Sequence, residues 1–188
     1  EVMTAFGRTG TLFASEQANI APDIICVAKG ITGGSIPLAA TLCTSAIFDA
    51  HYSQDRSRMF FHSSSYTANP IACAAAVANL EIWRNDSVLA RIDGIAKTQA
   101  ACLAQIANDP RFENTRQIGT IAAFEFREAE AGYLADVALS LRRKILDRGV
   151  LLRPLGATIY VMPPYCATAD DLNGVYAAIS EAADEVRR

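Results

Sequence analysis

A lysine lodged between an apolar run and a cluster of glycines constrains this chain more than any other feature. Ile24-Ile25-Cys26-Val27-Ala28 precedes Lys29, and Gly30-Ile31-Thr32-Gly33-Gly34 follows it. An apolar segment of that length reads as a short buried strand, and glycines directly after it read as a turn whose backbone comes close to another group. Lys29 then stands at the carboxyl end of a strand, with its amine expected to point into a desolvated crevice. Burial disfavours an ammonium ion and leaves the neutral amine as a nucleophile. Schiff-base chemistry with a carbonyl compound requires such an amine. Taken alone, a lysine in this place is most often a solvated guard at a strand end, so the neighbouring motifs must decide.

The chain can bury a sizeable core, since 51% of its 188 residues are hydrophobic, and it has room for one domain or two small ones. Seventeen basic against twenty acidic side chains give a net charge of -3 without a basic block, so neither nucleic acid nor an anionic membrane is an expected partner. No stretch approaches the length of a membrane span and no signal peptide opens the chain, which points to the cytoplasm. Cys26, Cys43, Cys73, Cys102 and Cys166 have no C-x-x-C spacing. They are expected as small core residues in a reducing compartment. His51 and His62 have no acidic or thiol partners at ligand spacing, so no metal is expected.

Along the chain, Gly7-Arg8-Thr9-Gly10 reads as a turn-rich loop. Ile24–Ala28 and Leu38–Cys43 read as strands, and Thr44-Ser45 as a helix start. Met59-Phe60-Phe61 is predicted as a short strand running into a hydroxyl-rich loop, His62-Ser63-Ser64-Ser65-Tyr66-Thr67. Asn69-Pro70 then opens a helix, because Asn is a good N-cap and Pro a good first-turn residue. The alanine-rich body of that helix, Ile71 to Trp83, suits close packing against other helices or a second subunit. A further helix is predicted from about Ser87 to Asn108, with Leu89, Ile92, Ala96, Ala100, Leu103 and Ile106 as its apolar stripe. Then come a strand (Thr120–Phe126), a helix (Tyr133–Arg148), two strands (Leu151–Arg153 and Thr158–Met162) and a last helix (Asp170–Val186). Strands and helices alternating in this way predict a small α/β domain beginning near residue 85.

Two more clusters carry chemistry. The loop ahead of Asn69-Pro70 offers hydroxyls at a helix N-terminus, a ready anion site. An ordinary capping loop would look the same. Arg153, at a predicted strand end, offers a planar, permanently charged fork that matches a carboxylate. A surface ion pair is the first expectation for most arginines, including Arg142, Arg143 and Arg148.

The stretch from Phe6 to Leu42, FGRTGTLFASEQANIAPDIICVAKGITGGSIPLAATL, closely resembles the class III, fold-type I, aminotransferases that depend on pyridoxal phosphate. In that resemblance Lys29 is the catalytic and cofactor-binding lysine that carries the internal aldimine. It is also the base that moves the substrate proton once the amino donor has displaced it. The loop implies phosphate-binding positions at Ser64 and Ser65, acting across the interface of a homodimer with shared active sites. Ser63 takes a substrate-facing position that is usually glycine in the family. Arg8, Thr9 and Glu16 belong to the fingerprint as supporting residues. The run RPLGATIYVMPPY from Arg153 resembles the branch that passes an amino group from S-adenosylmethionine to 8-amino-7-oxononanoate in biotin biosynthesis. There Arg153 would bind the keto-acid carboxylate with Tyr160 nearby. Another class III enzyme, for an ω-amino acid or a diamine, would use Lys29 and the serines equally well.

The family also places an aspartate under the cofactor's ring nitrogen, immediately before the position of Glu1. The chain is therefore expected to be the C-terminal part of a longer α/β enzyme, and by itself a noncatalytic or incomplete piece. Residues 1–84 would be the end of the large cofactor-binding domain and residues 85–188 the small C-terminal domain.

Overall fold

The protein divides into two compact units, Glu1–Val88 and Leu89–Arg188. The computed structural model describes residues 1–62, 64–127 and 136–186.

In the first unit, a short helix α1 (Ala14–Gln17) leads to strand β1 (Ile24–Ala28), a single 3-10 turn (Lys29–Thr32) and strand β2 (Ala39–Cys43). The strands pair antiparallel, from Ile24 opposite Cys43 to Ala28 opposite Ala39. β1 is less buried than its apolar sequence suggests: Val27 is buried, whereas Ile24 and Cys26 are exposed. A two-stranded ribbon covers little of itself, and only the Val27 side meets a core, made with Ala5 and Phe6. Helix α2 (Ser45–His51) starts where Thr44-Ser45 predicted.

Met59-Phe60-Phe61 forms no strand. Its side chains are exposed, and no described segment supplies the backbone partner that a ladder requires. Helix α3 (Pro70–Asn85) has the expected cap, with Asn69 Oδ1 accepting from the N–H groups of Ile71 at 3.0 Å and Ala72 at 3.3 Å. Ala72 and Ala76 are buried, and Asn79 and Trp83 continue the same stripe half-buried, as helical periodicity requires. The opposite face leaves Ile71, Val77 and Ile82 exposed.

In the second unit, helix α4 (Val88–Ala107) is followed by strands β3 (Phe112–Ile118), β4 (Ile121–Phe126) and β5 (Thr158–Val161), with helix α5 (Asp136–Asp147) between β4 and β5 and helix α6 (Ala169–Val186) last. The sheet is antiparallel in the order β3-β4-β5. Alternate residues of β4 (Ala122, Phe124, Phe126) and of β5 (Ile159, Val161) enter one core with Leu141 and Ile145 of α5 and Leu172, Tyr176 and Ile179 of α6. Phe124 packs edge-on against Phe112 at 5.2 Å and stacks on Tyr176 at 6.2 Å. Such aromatic pairs contribute about 1 kcal/mol each beyond the area they bury.

The buried stripe of α4 is Val88, Ile92, Ile95, Gln99, Cys102, Leu103 and Ile106. Leu89 and Ala100, expected inside, are exposed. The difference is Gln99, fully buried because all its polar atoms are used. Its amide donates to the carbonyls of Thr120 at 3.2 Å and Val161 at 3.1 Å, and its oxygen accepts from Tyr176 Oη. Burial is the main reason the Tyr176 phenol is pushed well above its ordinary range, with nearby Cys102 adding to it.

The expected strand at Leu151–Arg153 does not form, because Pro154 lacks a backbone donor and a tight turn follows at once. β3 was not expected. It is polar, with only Phe112 buried, and a register irregularity between Glu113 and Arg116 breaks its alternation. Of the predicted helix 133–148, residues 133–135 lie outside the described residues. The five cysteines are free thiols, but they depart from expectation in burial, since only Cys102 is buried.

Candidate active site

The Lys29 turn is built by closing a strand onto a left-handed residue. Lys29 itself has φ +49°, a conformation that costs a side-chain-bearing residue about 1–2 kcal/mol. Local hydrogen bonds hold it there. Its carbonyl accepts from Gly34 N at 3.0 Å, and Gly30 O accepts from Gly33 N at 3.0 Å. Thr32, buried, donates from Oγ1 to Ile36 O at 2.7 Å and so ties off the far end of the turn.

Two neighbours fix this turn from outside. A methyl group on Gly30 would lie 2.7 Å from Phe6 Cβ, so only glycine fits against that ring. Asn79 Nδ2 donates to Gly30 O at 2.9 Å and to Ile31 O at 3.1 Å. Four residues further along α3, on the same face, Trp83 meets Phe6 edge-on at 6.0 Å. One face of α3 therefore grips the turn directly and also through Phe6.

The glycine-rich loop beside Phe6 is tied down by Glu1. Its carboxylate accepts from Ala14 N at 2.9 Å, Ser15 N at 2.8 Å and Thr4 Oγ1 at 2.8 Å. Partial burial pushes this carboxyl up, but the hydrogen bonds from Ser15, Ala14 and Thr4 outweigh it and bring its pKa down to about 2. Gln17 Nε2 donates to Thr9 O, while Glu16 Oε1 accepts from Phe13 N at 2.8 Å. Glu16 is thus a structural support. The Thr9 hydroxyl is buried and unpartnered among the described residues.

Lys29 does not lie in a desolvated crevice of this chain. Its side chain is exposed, because the ribbon and α3 enclose the backbone of the turn and leave its outer side open. Ser64 and Ser65 are also exposed, in a turn closed by Thr67 N donating to Ser64 O at 3.0 Å and Ser64 N donating to Thr67 Oγ1 at 3.1 Å. That turn leads directly into the capped start of α3. Ser63 lies outside the described residues.

In the second unit, Leu155 and Thr158 exchange both backbone hydrogen bonds, at 2.9 and 3.0 Å, across Gly156-Ala157. Gly156 has φ +58°, which the tight turn demands. Arg153 lies two residues before Leu155, outside any strand, and Tyr160 lies two residues after Thr158 on β5. Arg153 is exposed, and Tyr160 is half-buried on β5 opposite Ala123. Asn79 was missed as a site residue. The signal present was a lone amide on the core-facing stripe of an alanine-rich helix.

Comparison with known proteins bears on the whole chain. The aminotransferase class-III family matches residues 1–183. An adenosylmethionine-8-amino-7-oxononanoate aminotransferase of Synechococcus elongatus is 42% identical over 99% of the chain, and one of Helicobacter pylori is 37% identical over all of it. The chain spans 43% and 44% of the lengths of these curated relatives. A solved structure of the same-named enzyme from Methanocaldococcus jannaschii superposes with a TM-score of 0.91 over 98% of this chain and 44% of that one, at 31% identity. An (S)-enantioselective omega-transaminase from Thermomicrobium roseum gives 0.90 over all of this chain and 43% of that one, at 27% identity. The mixed helix-and-strand architecture is that of these transaminases, and the chain belongs to the class III aminotransferases.

Proposed function

We propose that this chain is part of an enzyme that passes an amino group from S-adenosylmethionine to 8-amino-7-oxononanoate, giving 7,8-diaminononanoate in biotin biosynthesis. The observation that carries this reading is 42% identity, over 99% of the chain, to a relative named for those two substrates. Residues 1–84 would form the end of the large cofactor-binding domain and residues 85–188 the small C-terminal domain. The enzyme would act in the cytoplasm; among the described residues no helix is long and apolar enough to cross a membrane.

The residues suit pyridoxal phosphate. Lys29 presents an exposed primary amine from a turn whose backbone groups are already tied. Ser64 and Ser65 present exposed hydroxyls at the approach to α3, where a phosphate is favoured. When bound, the cofactor supplies an electron sink for the carbon that bears the amino group.

Lys29 Nζ would anchor the group and, once the amino donor has released it, would take the proton from the donor's amino-bearing carbon in one half-reaction and deliver a proton to the acceptor's former keto carbon in the other. Ser64 and Ser65 orient the phosphate. In this reading the protein is a homodimer in which each serine turn serves the partner's lysine. Arg153 would receive the keto-acid carboxylate, and Tyr160 and Ser63 are the other substrate-binding residues of this reading.

The likeness to an omega-transaminase structure at a TM-score of 0.90 favours, as a second reading, an ω-amino-acid or diamine enzyme of the same class. Absorbance of the full-length protein with pyridoxal phosphate separates the two. Bleaching of the lysine-bound cofactor band by S-adenosylmethionine supports the biotin-pathway reading. A band that ignores S-adenosylmethionine but bleaches with a simple amine or amino acid moves the protein to the second reading.

A further inference from the structure

Asn79 stands on α3, far in sequence from Lys29, yet its amide donates to two successive carbonyls of the Lys29 turn. Gly30 O accepts from both Asn79 Nδ2 and Gly33 N. Gly33, at φ +62°, lies so close that a methyl group on it would sit 3.1 Å from Asn79 Oδ1. Asn79 therefore holds the middle of the turn and lies close beside Gly33 just past its end. The turn's own hydrogen bonds stay within residues 29–36, so they set its shape without fixing where it points. The two from Asn79 refer it to a helix sixteen residues long.

We propose that Asn79 is a positioning residue for Lys29. It holds the Gly30 and Ile31 peptides, and through them the left-handed backbone at Lys29, so that the amine leaves the turn in one fixed direction. The proposal rests on the reading of Lys29 as the cofactor-anchoring amine. It adds a requirement for a hydrogen-bond donor at residue 79, where an apolar side chain would suit the helix equally well.

The test uses the full-length protein loaded with pyridoxal phosphate, as wild type, Asn79→Ala and Asn79→Leu. Leu fills the space of Asn without donor or charge and suits a helix, so it decides the matter if the alanine variant fails to fold. Two readouts are taken: hydrogen exchange at the Gly33 and Gly34 amides, and the pH at which the lysine-bound cofactor band titrates. The proposal expects exchange about tenfold faster in both variants, as for the loss of two neutral hydrogen bonds, together with a displaced titration and a lower kcat at little-changed KM. Unchanged exchange would overturn it. Faster exchange with an unmoved titration would also overturn it, by reducing Asn79 to a packing role. Borohydride reduction followed by peptide mass analysis of the wild type is run alongside. Absence of cofactor on Lys29 there would sink the aminotransferase reading itself, a result distinct from either outcome at Asn79.

Discussion

Asn79 and Gly30 are joined by a 2.9 Å hydrogen bond across 49 positions of sequence, and Ile31 accepts from the same amide. The Lys29 turn is thereby part of the α3 packing surface and not a free loop. Four residues on, Trp83 closes the same surface over Phe6.

Lys29→Ala is expected to leave the fold intact, because the side chain is exposed, and to remove turnover by at least about a thousandfold. Steady-state rates and the cofactor spectrum of the full-length variant check this. Activity near wild type would reject Lys29 as the anchoring amine.

Gly30→Ala should be far more damaging to the fold than its single methyl group suggests. The added carbon would lie 2.7 Å from Phe6 Cβ and 2.9 Å from Cδ2, so either the turn or the Phe6 loop must shift. Overpacking of this kind costs about 1–3 kcal/mol. Denaturant unfolding of wild type and variant would show it as a lower midpoint, and an equal midpoint would mean the contact relaxes freely.

Arg153→Ala should raise KM for the keto acid by about tenfold to a hundredfold while kcat changes little. It removes a charge-assisted contact made alike in the ground and transition states. Because Arg153 is exposed, its removal should not lower thermal stability measurably. An unaltered KM for 8-amino-7-oxononanoate would point to a different acceptor.

The buried Tyr176 phenol predicts a loss of stability at alkaline pH. Its folded pKa is raised above the ordinary 10.0, chiefly by burial. Above pH 10 the unfolded chain therefore releases this proton while the folded chain keeps it. Stability is complete below that point and declines as pH rises through it. Tyr176→Phe should flatten the alkaline decline. It should also cost about 1–3 kcal/mol near neutral pH, because Gln99 Oε1 loses its donor inside the core. Thermal unfolding at pH 7 and at pH 10.5 separates the two effects.

What the sequence disclosed, and what it did not, follows the range of the forces involved. β1, the start of α3 and the Asn69 cap are written in runs of neighbouring residues and were legible. Lys29 is singled out only by a long motif, not by its burial. The polar strand β3 was not legible, because its place is set by pairing with β4 and not by its own alternation. The stripe of α4 was misplaced because burying Gln99 depends on acceptors at Thr120 and Val161, far along the chain. Lys29 was expected to be buried, yet the surfaces of this chain leave it exposed. Asn79 shows the same limit at the candidate site, since its meaning depends on a turn 49 positions away.

β3 also bears on how the C-terminal unit behaves in company. Among the described residues it is an outer strand of its sheet, and outer strands invite other chains to pair with them. Here the invitation is spoiled. Asn114 sits at φ +52° in the irregular stretch between Glu113 and Arg116, and the exposed residues that follow include Arg116 and Gln117. A second chain laid along this edge would lose register within a few residues and meet polar side chains. The edge is a poor template for strand-on-strand pairing.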